Sequence, residues 1–244
     1  MHNYKITIQY DGTNYHGWQI QPNGRTIQGE LTRALSLLDG RPVTVHGAGR
    51  TDAGVHALGQ VATFFLERQF EPERLRDAIN GNLERDIRVV SVEPAANDFH
   101  ARFSAKQKTY RYRIFTGAVM SPFDYRYVLH FRGSLNVEAM REAAAVLIGT
   151  HDFSAFTVAD SEVENHLRTL QELEIQHEGE MLIFFATADG FLRYMVRNIV
   201  GTLIDIGRGH RRSDEMADIL ASRDRNRAGT MAKAHGLTLL KIDY

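Results

Sequence analysis

The sequence predicts an α+β fold made of two related α/β halves, whose mostly antiparallel strands join into one central sheet. Segments with the two-residue periodicity of strands are interleaved with segments of helical periodicity. Each half presents a similar order of these segments, and the strand-to-strand connections favour antiparallel pairing. No low-complexity linker separates the halves, so we expect them to pack tightly.

The first half, residues 1–103, is predicted to contain four strands and two helices. Alternating β-formers over residues 4–10 predict the first strand, and residues 11–14 (DGTN) predict a turn after it. Thr26 is a candidate N-cap, and Pro72 suits the first turn of the second helix. The other strands are predicted at 42–46, 60–66 and 87–92.

The second half, residues 104–244, begins near Phe103, where a basic run replaces the acidic residues. Gly149 is the expected stop of its first helix, and Ser213 the expected N-cap of its last helix. Strands are predicted at 109–116, 170–177, 181–187 and 237–243, and helices at 136–148, 192–206 and 213–222.

Composition excludes several classes of function. The chain has no cysteine, which rules out disulfides, thiolate nucleophiles and cysteine-bound zinc. Its histidines lack metal-site spacing, so we expect no catalytic metal. The opening residues do not resemble a secretory signal, and no apolar run is long enough to span a membrane, which predicts a cytoplasmic protein. A net charge of −1 gives no support for a nucleic-acid partner unless basic residues cluster on one face.

Residues 47–54 (GAGRTDAG) form the first candidate site. The stretch lacks the Gly-Lys-Ser/Thr ending of a phosphate loop, and Asp52 would repel phosphate. In extended backbone Arg50 and Asp52 point the same way, and the cation would lower the pKa of the carboxyl group. An ionised carboxylate is a usable nucleophile or base. The alternatives are a tight turn with a solvated aspartate, or a surface ion pair of little energy.

Residues 100–113 (HARFSAKQKTYRYR) are the second candidate, a basic run with interleaved aromatic residues and no acidic residue. Basic side chains follow phosphates, and aromatic rings stack on unpaired bases. The alternative is a half-buried strand with its tyrosines in the core and its arginines in water. The basic members are Arg102, Lys106, Lys108, Arg111 and Arg113, and the aromatic members are Phe103, Tyr110 and Tyr112.

The third candidate is the stretch at 191–201 (FLRYMVRNIVG), in which Arg193, Arg197 and Gly201 recur every four residues. That spacing places them on one helical face, apart from an apolar stripe. Gly201 would let another backbone or a ligand approach that face. A solvated arginine face is the alternative.

Six motifs in order resemble the tRNA pseudouridine synthase A family, and together they cover nearly the whole chain. The stretch around Asp52 is one of them, and an N-terminal motif that begins at Tyr10 precedes it. The six are residues 10–19 (YDGTNYHGWQ), 49–57 (GRTDAGVHA), 99–103 (FHARF), 108–112 (KTYRY), 151–156 (HDFSAF) and 195–201 (MVRNIVG).

The resemblance implies a pseudouridine synthase fold, with helices packed outside and an active-site cleft between the halves. It also implies isomerisation of uridine to pseudouridine at positions 38, 39 and 40 of the tRNA anticodon arm, without cofactor or metal. The target base would be flipped out of the RNA. A homodimer in which one tRNA contacts both subunits is implied as well, and would let a nearly neutral chain present a basic cleft.

By match to the family's motifs, Asp52 is the catalytic carboxylate, either as a nucleophile at C1′ or as a base on the sugar. Tyr110 would stack on the flipped uracil and help remove the C5 proton, and Arg197 would pair with Asp52. Arg50 would bind RNA and extrude the base, and Leu237 would line the uracil pocket. The basic motifs add three expected substrate contacts, Arg102, Lys108 and Arg193.

The chain departs from the family pattern in residues 228–237 (AGTMAKAHGL), where Met231 replaces the usual threonine and Lys233 the usual proline. Loss of proline frees the backbone and restores an N–H group. The change keeps open a non-catalytic RNA-binding protein on the same scaffold. The residues are also compatible with an N-glycoside hydrolase that uses Asp52 and with a metabolite-binding α/β protein.

Overall fold

The computed structural model describes residues 1–158 and 165–244, which form two compact units. The first unit comprises residues 1–106 and 238–244, and the second comprises residues 107–237. The predicted halves divide at 103 and 104 instead. The last strand groups with the first unit because it pairs with a strand there.

Ten strands and five helices make up the described chain. The strands are β1 (His2–Tyr10), β2 (His46–Gly47), β3 (His56–Leu66), β4 (Ile87–Pro94), β5 (Gln107–Phe115), β6 (Leu129–His130), β7 (Gly149–Asp152), β8 (Leu167–Glu178), β9 (Met181–Ala188) and β10 (Leu237–Asp243). The helices are α1 (Ile27–Asp39), α2 (Pro72–Gly81), α3 (Val137–Ala145), α4 (Met195–Gly207) and α5 (Glu215–Ser222). The prediction of an α+β fold with mostly antiparallel strands is confirmed within each unit.

In the first unit the strand order is β4-β1-β3-β10. β1 runs antiparallel to β3 and β4, β2 pairs antiparallel with β3, and β10 runs parallel to β3. The alternation predicted for β1 is confirmed, because Tyr4, Ile6, Ile8 and Tyr10 are all buried. These four side chains enter the core of the unit, whereas Lys5, Thr7 and Gln9 between them are partly or fully exposed.

Local signals set the helix boundaries in this unit. The Thr26 hydroxyl accepts a hydrogen bond from the Gly29 N–H, as predicted for an N-cap, and α1 ends at Gly40, where φ is 75°. α2 begins at Pro72 as predicted. The strand predicted at 42–46 is wrong for most of its length, since only His46 and Gly47 pair with β3.

In the second unit the strand order is β5-β9-β8-β7, all antiparallel, and β6 pairs parallel with β5. One face of this sheet is apolar and buried, with Tyr112 edge-on to Phe184 at 6.5 Å between ring centroids. α3 packs against β8 and against α4. Every residue of α4 except Asp205 is buried, so this helix is the centre of the unit.

Three predicted boundaries in the second unit are wrong, each for a local reason. Gly149 has φ of 114° and opens β7, whereas α3 already ends at Ala145. α4 begins at Met195 rather than 192, because Tyr194 takes the left-handed conformation at φ 65°. Ser213 does not cap α5, because the helix begins at Glu215 and Asp214 is its N-cap residue. The Ser213 hydroxyl donates to Glu142 Oε2 at 2.9 Å.

Among residues 1–158 and 165–244, no helix is both long and apolar enough to cross a membrane. Within the same ranges, no group of three or more histidine and acidic side chains is arranged to hold a metal ion.

Candidate active site

Asp52 lies in the loop that connects β2 with β3 in the first unit, where it is partly exposed and Arg50 is exposed. The Val55 N–H donates to the Asp52 carbonyl oxygen at 3.1 Å and closes a turn. Gly54 within this turn has φ of 78°, a conformation that favours glycine. The pairing of Arg50 with Asp52 stays a prediction.

A buried hydrogen-bond network supports this loop from below. The hydroxyl groups of Tyr10 and Thr51 are 2.8 Å apart. The Gln60 side-chain amide donates to the Tyr10 hydroxyl at 3.3 Å and to the Gly49 carbonyl at 2.9 Å. Burial raises the pKa of Tyr10 to about 12, so its hydroxyl stays protonated at neutral pH. The network therefore fixes the backbone on the N-terminal side of Asp52.

The N-terminal motif, residues 10–19, packs against the same loop. The backbone N–H of Trp18 donates to the Thr51 carbonyl at 3.0 Å. A Cβ atom on Gly12 would overlap the Val55 carbonyl oxygen, and one on Gly47 would overlap the Trp18 indole ring. Gly17, at φ 87°, also has no room for a side chain beside Thr51. The glycines of both motifs therefore permit close backbone packing around Asp52.

In the second unit, Tyr110 lies on β5 and is buried, with its ring edge-on to Phe191 at 5.1 Å. Tyr112 is completely buried, and its hydroxyl donates to the Lys233 carbonyl at 2.8 Å. The interpretation of this strand as one with tyrosines in the core is therefore confirmed for both rings. Lys108 is on the same strand and is partly exposed.

Arg197 is buried inside α4, with only 9% of its surface exposed. Its Nε donates to the Ala232 carbonyl at 2.8 Å, and its own carbonyl accepts from the Ala232 N–H at 3.0 Å. The guanidinium group lies 5.4 Å from the Tyr194 ring centroid. The alternative of a solvated arginine is thus wrong for Arg197. Arg193 is exposed and precedes the helix, so the predicted shared helical face does not form.

The loop at residues 228–237 is held against α4. A Cβ atom on Gly201 would overlap the Thr230 carbonyl, which confirms the prediction that this glycine admits another backbone. The Gly229 N–H donates to the Thr202 hydroxyl at 2.9 Å. Leu237 follows this loop and is buried. The backbone around Arg197 is therefore fixed by a segment about thirty residues further along the chain.

Lys233 is exposed within this loop and has φ of −63° and ψ of 147°. Proline holds φ near −65°, so Lys233 already has the backbone conformation of the proline that it replaces. The bond from Tyr112 uses the Lys233 carbonyl, which proline also has. The replacement of proline by Lys233 therefore leaves the backbone conformation at that position unchanged.

The candidate residues divide between the units, and their predicted roles stay predictions. Arg50, Asp52 and Arg102 are in the first unit, whereas Lys108, Tyr110, Arg193, Arg197 and Leu237 are in the second. Sequence reasoning missed the supporting roles of Tyr10, Thr51 and Gln60. The available signal was Gln60 itself, a glutamine within the mostly apolar sequence of a predicted strand.

Comparison with known proteins identifies the family. The family model for tRNA pseudouridine synthase matches residues 6–104 and 143–244, which include the loop of Asp52 and all of α4. The chain therefore belongs to the tRNA pseudouridine synthase family.

Curated relatives named tRNA pseudouridine synthase A match almost end to end. The protein of Halalkalibacterium halodurans is 48% identical over 233 residues, which cover 95% of this chain and 89% of that protein. The protein of Anoxybacillus flavithermus is 46% identical over 245 residues, with 100% and 99% covered. The protein of Moorella thermoacetica is 46% identical over 242 residues, with 98% of each chain covered.

Replacement of Lys233 by proline should stabilise the protein by about 0.5 kcal/mol, because it restricts the unfolded chain without straining the folded loop. Urea denaturation measures the change, with Lys233→Ala as the control for loss of charge alone. A lower unfolding free energy for Lys233→Pro than for Lys233→Ala would contradict the conclusion that the loop already suits proline.

Proposed function

We propose that this chain isomerises uridine to pseudouridine in tRNA, at positions 38, 39 and 40 of the anticodon arm. Membership of the family carries the reaction class. The observation that carries the assignment to this chain is Asp52, a carboxylate on a loop fixed by buried hydrogen bonds and close glycine contacts. Catalysis gains most from groups that need no reorganisation when the substrate arrives.

The reaction is an internal exchange of bonds and needs no co-reactant. The N1–C1′ glycosidic bond breaks, the uracil turns, and C5 bonds to C1′. The C5 proton is then lost to solvent, and N1 takes up one proton in exchange. Asp52 either attacks C1′ and is later displaced, or removes a sugar proton to give a glycal that is later reprotonated. Both routes require an ionised carboxylate, which a nearby arginine favours.

Arg197 is proposed as that arginine. Its Nε bond to Ala232 and the Tyr194 ring hold the guanidinium plane in one orientation. A buried cation acts on a carboxylate more strongly than one in water, because less solvent screens it. Tyr110 is proposed to stack on the flipped uracil, and the edge-on contact with Phe191 holds its ring ready. Leu237 would add an apolar wall.

Basic residues are proposed to bind the RNA around the target. Arg50 is exposed on the loop of Asp52, where it would fill the space left by the extruded base. Base flipping costs a few kcal/mol, which stacking and such a replacement offset. Arg102, Lys108 and Arg193 would contact phosphates. A cytoplasmic location is part of this proposal, because the proposed substrate is tRNA.

A homodimer is part of the proposal, and one face of the second unit supports it. On the side of the sheet opposite α3, β5 carries Arg111 and Arg113, whereas β8 carries the exposed Glu172 and Glu174. Partly exposed apolar residues of β9, among them Phe185, lie between the two rows. The face therefore has a basic edge, an apolar centre and an acidic edge, which makes it complementary to itself.

The charges also select the symmetry of such a pair. Arg111 and Glu174 both lie beside Phe185 in the strand register. A two-fold axis parallel to the strands would bring Arg111 opposite the partner's Glu174, whereas an axis across the strands would oppose like charges. Arg111 and Arg113 have buried Nε atoms without a hydrogen-bond partner in the described chain, and burial lowers the pKa of Arg111. Carboxylates of a second copy would relieve that cost.

Wild-type protein should release tritium from tRNA labelled at uridine C5, and Asp52→Asn should lower the rate roughly 10³-fold or more. The reason is that the new C5–C1′ bond expels the label, whereas hydrolysis of the glycosidic bond does not. Asp98→Asn, an exposed aspartate in the same unit, is the control. If the wild type bound RNA without releasing tritium, that result would contradict the isomerase assignment and favour the non-catalytic binding protein. Free uracil instead of tritium would indicate the hydrolase.

Charge reversal tests the dimer. Glu174→Arg should weaken self-association at least tenfold, because it opposes like charges, and sedimentation velocity measures the effect. Combining it with Arg111→Glu should restore the dimer, since the reversed pair is again complementary. Glu84→Arg, at an exposed site in the first unit, serves as the control. Unaltered association in Glu174→Arg, or a wild-type monomer, would count against this face as the interface.

A further inference from the structure

Phe103 is a large apolar side chain that faces solvent, with 78% of its surface exposed. Single exposed apolar residues are common and usually need no explanation. Phe103 differs because a rigid turn presents its ring and other rings support it from behind. Both properties favour a surface made to contact another flat ring.

Several hydrogen bonds fix the turn at residues 99–104. The Asn3 amide donates to the Ala96 carbonyl at 2.7 Å and to the Phe99 carbonyl at 3.1 Å. The Ser104 N–H donates to the His100 carbonyl at 2.9 Å. The Ala101 carbonyl accepts from the Tyr244 hydroxyl at 2.9 Å, and Ala101 itself is fully buried. A ring on this turn is therefore ordered before any ligand arrives.

Three aromatic rings form a row that ends at Phe103. The centroids of Phe103 and His100 are 4.5 Å apart with 36° between the rings, and those of His100 and His46 are 5.0 Å apart. The His100 Nδ1 accepts from the Arg102 N–H at 3.1 Å, which puts any single ring proton on Nε2. Burial and the neighbouring His46 and Arg102 lower the pKa of His100, so its ring is neutral at pH 7.

Basic side chains belong to the same segment as Phe103 and His100. The Arg102 guanidinium lies 5.7 Å from the Phe103 ring centroid, and Lys106, within the same basic run, is exposed. Residues 99–106 contain no acidic side chain. An exposed aromatic face beside positive charge is the arrangement by which proteins bind single-stranded nucleic acid. The positive charge therefore favours a partner whose ring is linked to phosphate. A nucleotide meets this requirement, and an apolar peptide does not.

We propose that Phe103, supported by His100 and flanked by Arg102, is a stacking platform for an unpaired base of the substrate RNA other than the target uridine. This inference rests on the proposed function. His46 belongs to β2, and β2 continues directly into the loop of Asp52, so the base would be held on the same unit as the catalytic carboxylate. Phenylalanine offers no hydrogen bond, so the platform would accept any base and would help one enzyme use several tRNAs.

The test compares the affinity of variants for an anticodon stem-loop RNA by filter binding at several salt concentrations. Phe103→Ala should weaken binding about tenfold, because stacking one base on an aromatic ring contributes about 1–3 kcal/mol. Phe103→Leu should also bind more weakly than the wild type, and Phe103→Trp should bind within about threefold of it. Phe123→Ala is the matched control, since Phe123 is 88% exposed but lies in the second unit.

Salt dependence separates stacking from charge. Phe103→Ala should leave the slope of log affinity against log salt unchanged, whereas Arg102→Ala should reduce its magnitude by about one, the amount for one phosphate contact. A second readout uses Phe103→Trp. The natural Trp18 is buried, so quenching of the introduced indole by RNA reports stacking at position 103.

The outcomes are distinct. Equal affinities for the wild type and Phe103→Ala would overturn the platform, and so would conversion of a dimer to a monomer by Phe103→Ala, which would make this surface a subunit contact. Tritium release by a wild type whose affinity does not depend on Phe103 would leave the proposed function standing and remove only the platform. Absence of tritium release would end the proposed function, while the affinity of Phe103→Ala would still decide the platform.

Discussion

The hydrogen bond between Tyr10 and Thr51, with Gln60 beneath it, is the interaction on which the arrangement of the first unit depends. These three side chains are buried, so each polar group left without a partner would cost about 1–3 kcal/mol. The network therefore does more than add stability. It ties β1, β3 and the loop of Asp52 into one arrangement, and the glycines of the N-terminal motif allow that arrangement to be dense.

The second unit also fixes a charged side chain in place, but by different contacts. Arg197 lies within a helix that is buried almost all round, where an unpaired guanidinium group would be costly. The hydrogen bond from Arg197 Nε to the Ala232 carbonyl and the ring of Tyr194 compensate part of that cost. The Ala232 N–H also donates to the Arg197 backbone carbonyl, which holds the covering loop in place. Gly201 makes the approach of the covering loop possible. In both units a charged side chain is positioned by backbone atoms that glycine lets come close.

Much of this could be predicted from the sequence, and the failures have physical reasons. Strand alternation and helix caps are local, so β1, the Thr26 cap and the Pro72 start were predicted correctly. The burial of Arg197 was not, because the covering residues 228–237 are distant in sequence. The prediction that Ser213 caps α5 failed because the helix begins two residues later, at Glu215, with Asp214 as its N-cap residue. The roles of the candidate residues came from the match to family motifs and not from spacing alone.

The central claim is that the network under the loop prepares Asp52 for chemistry, and a single-turnover rate on saturating tRNA tests it most directly. Thr51→Val keeps the shape of the side chain and removes the hydroxyl that meets Tyr10, whereas Thr44→Val is the control at an exposed site in the same unit. The account predicts a rate about tenfold lower for Thr51→Val, from the loss of one buried hydrogen bond, with RNA affinity within about twofold of the wild type. A wild-type rate in Thr51→Val, together with a lower unfolding temperature, would contradict the claim and reduce the network to a purely structural role.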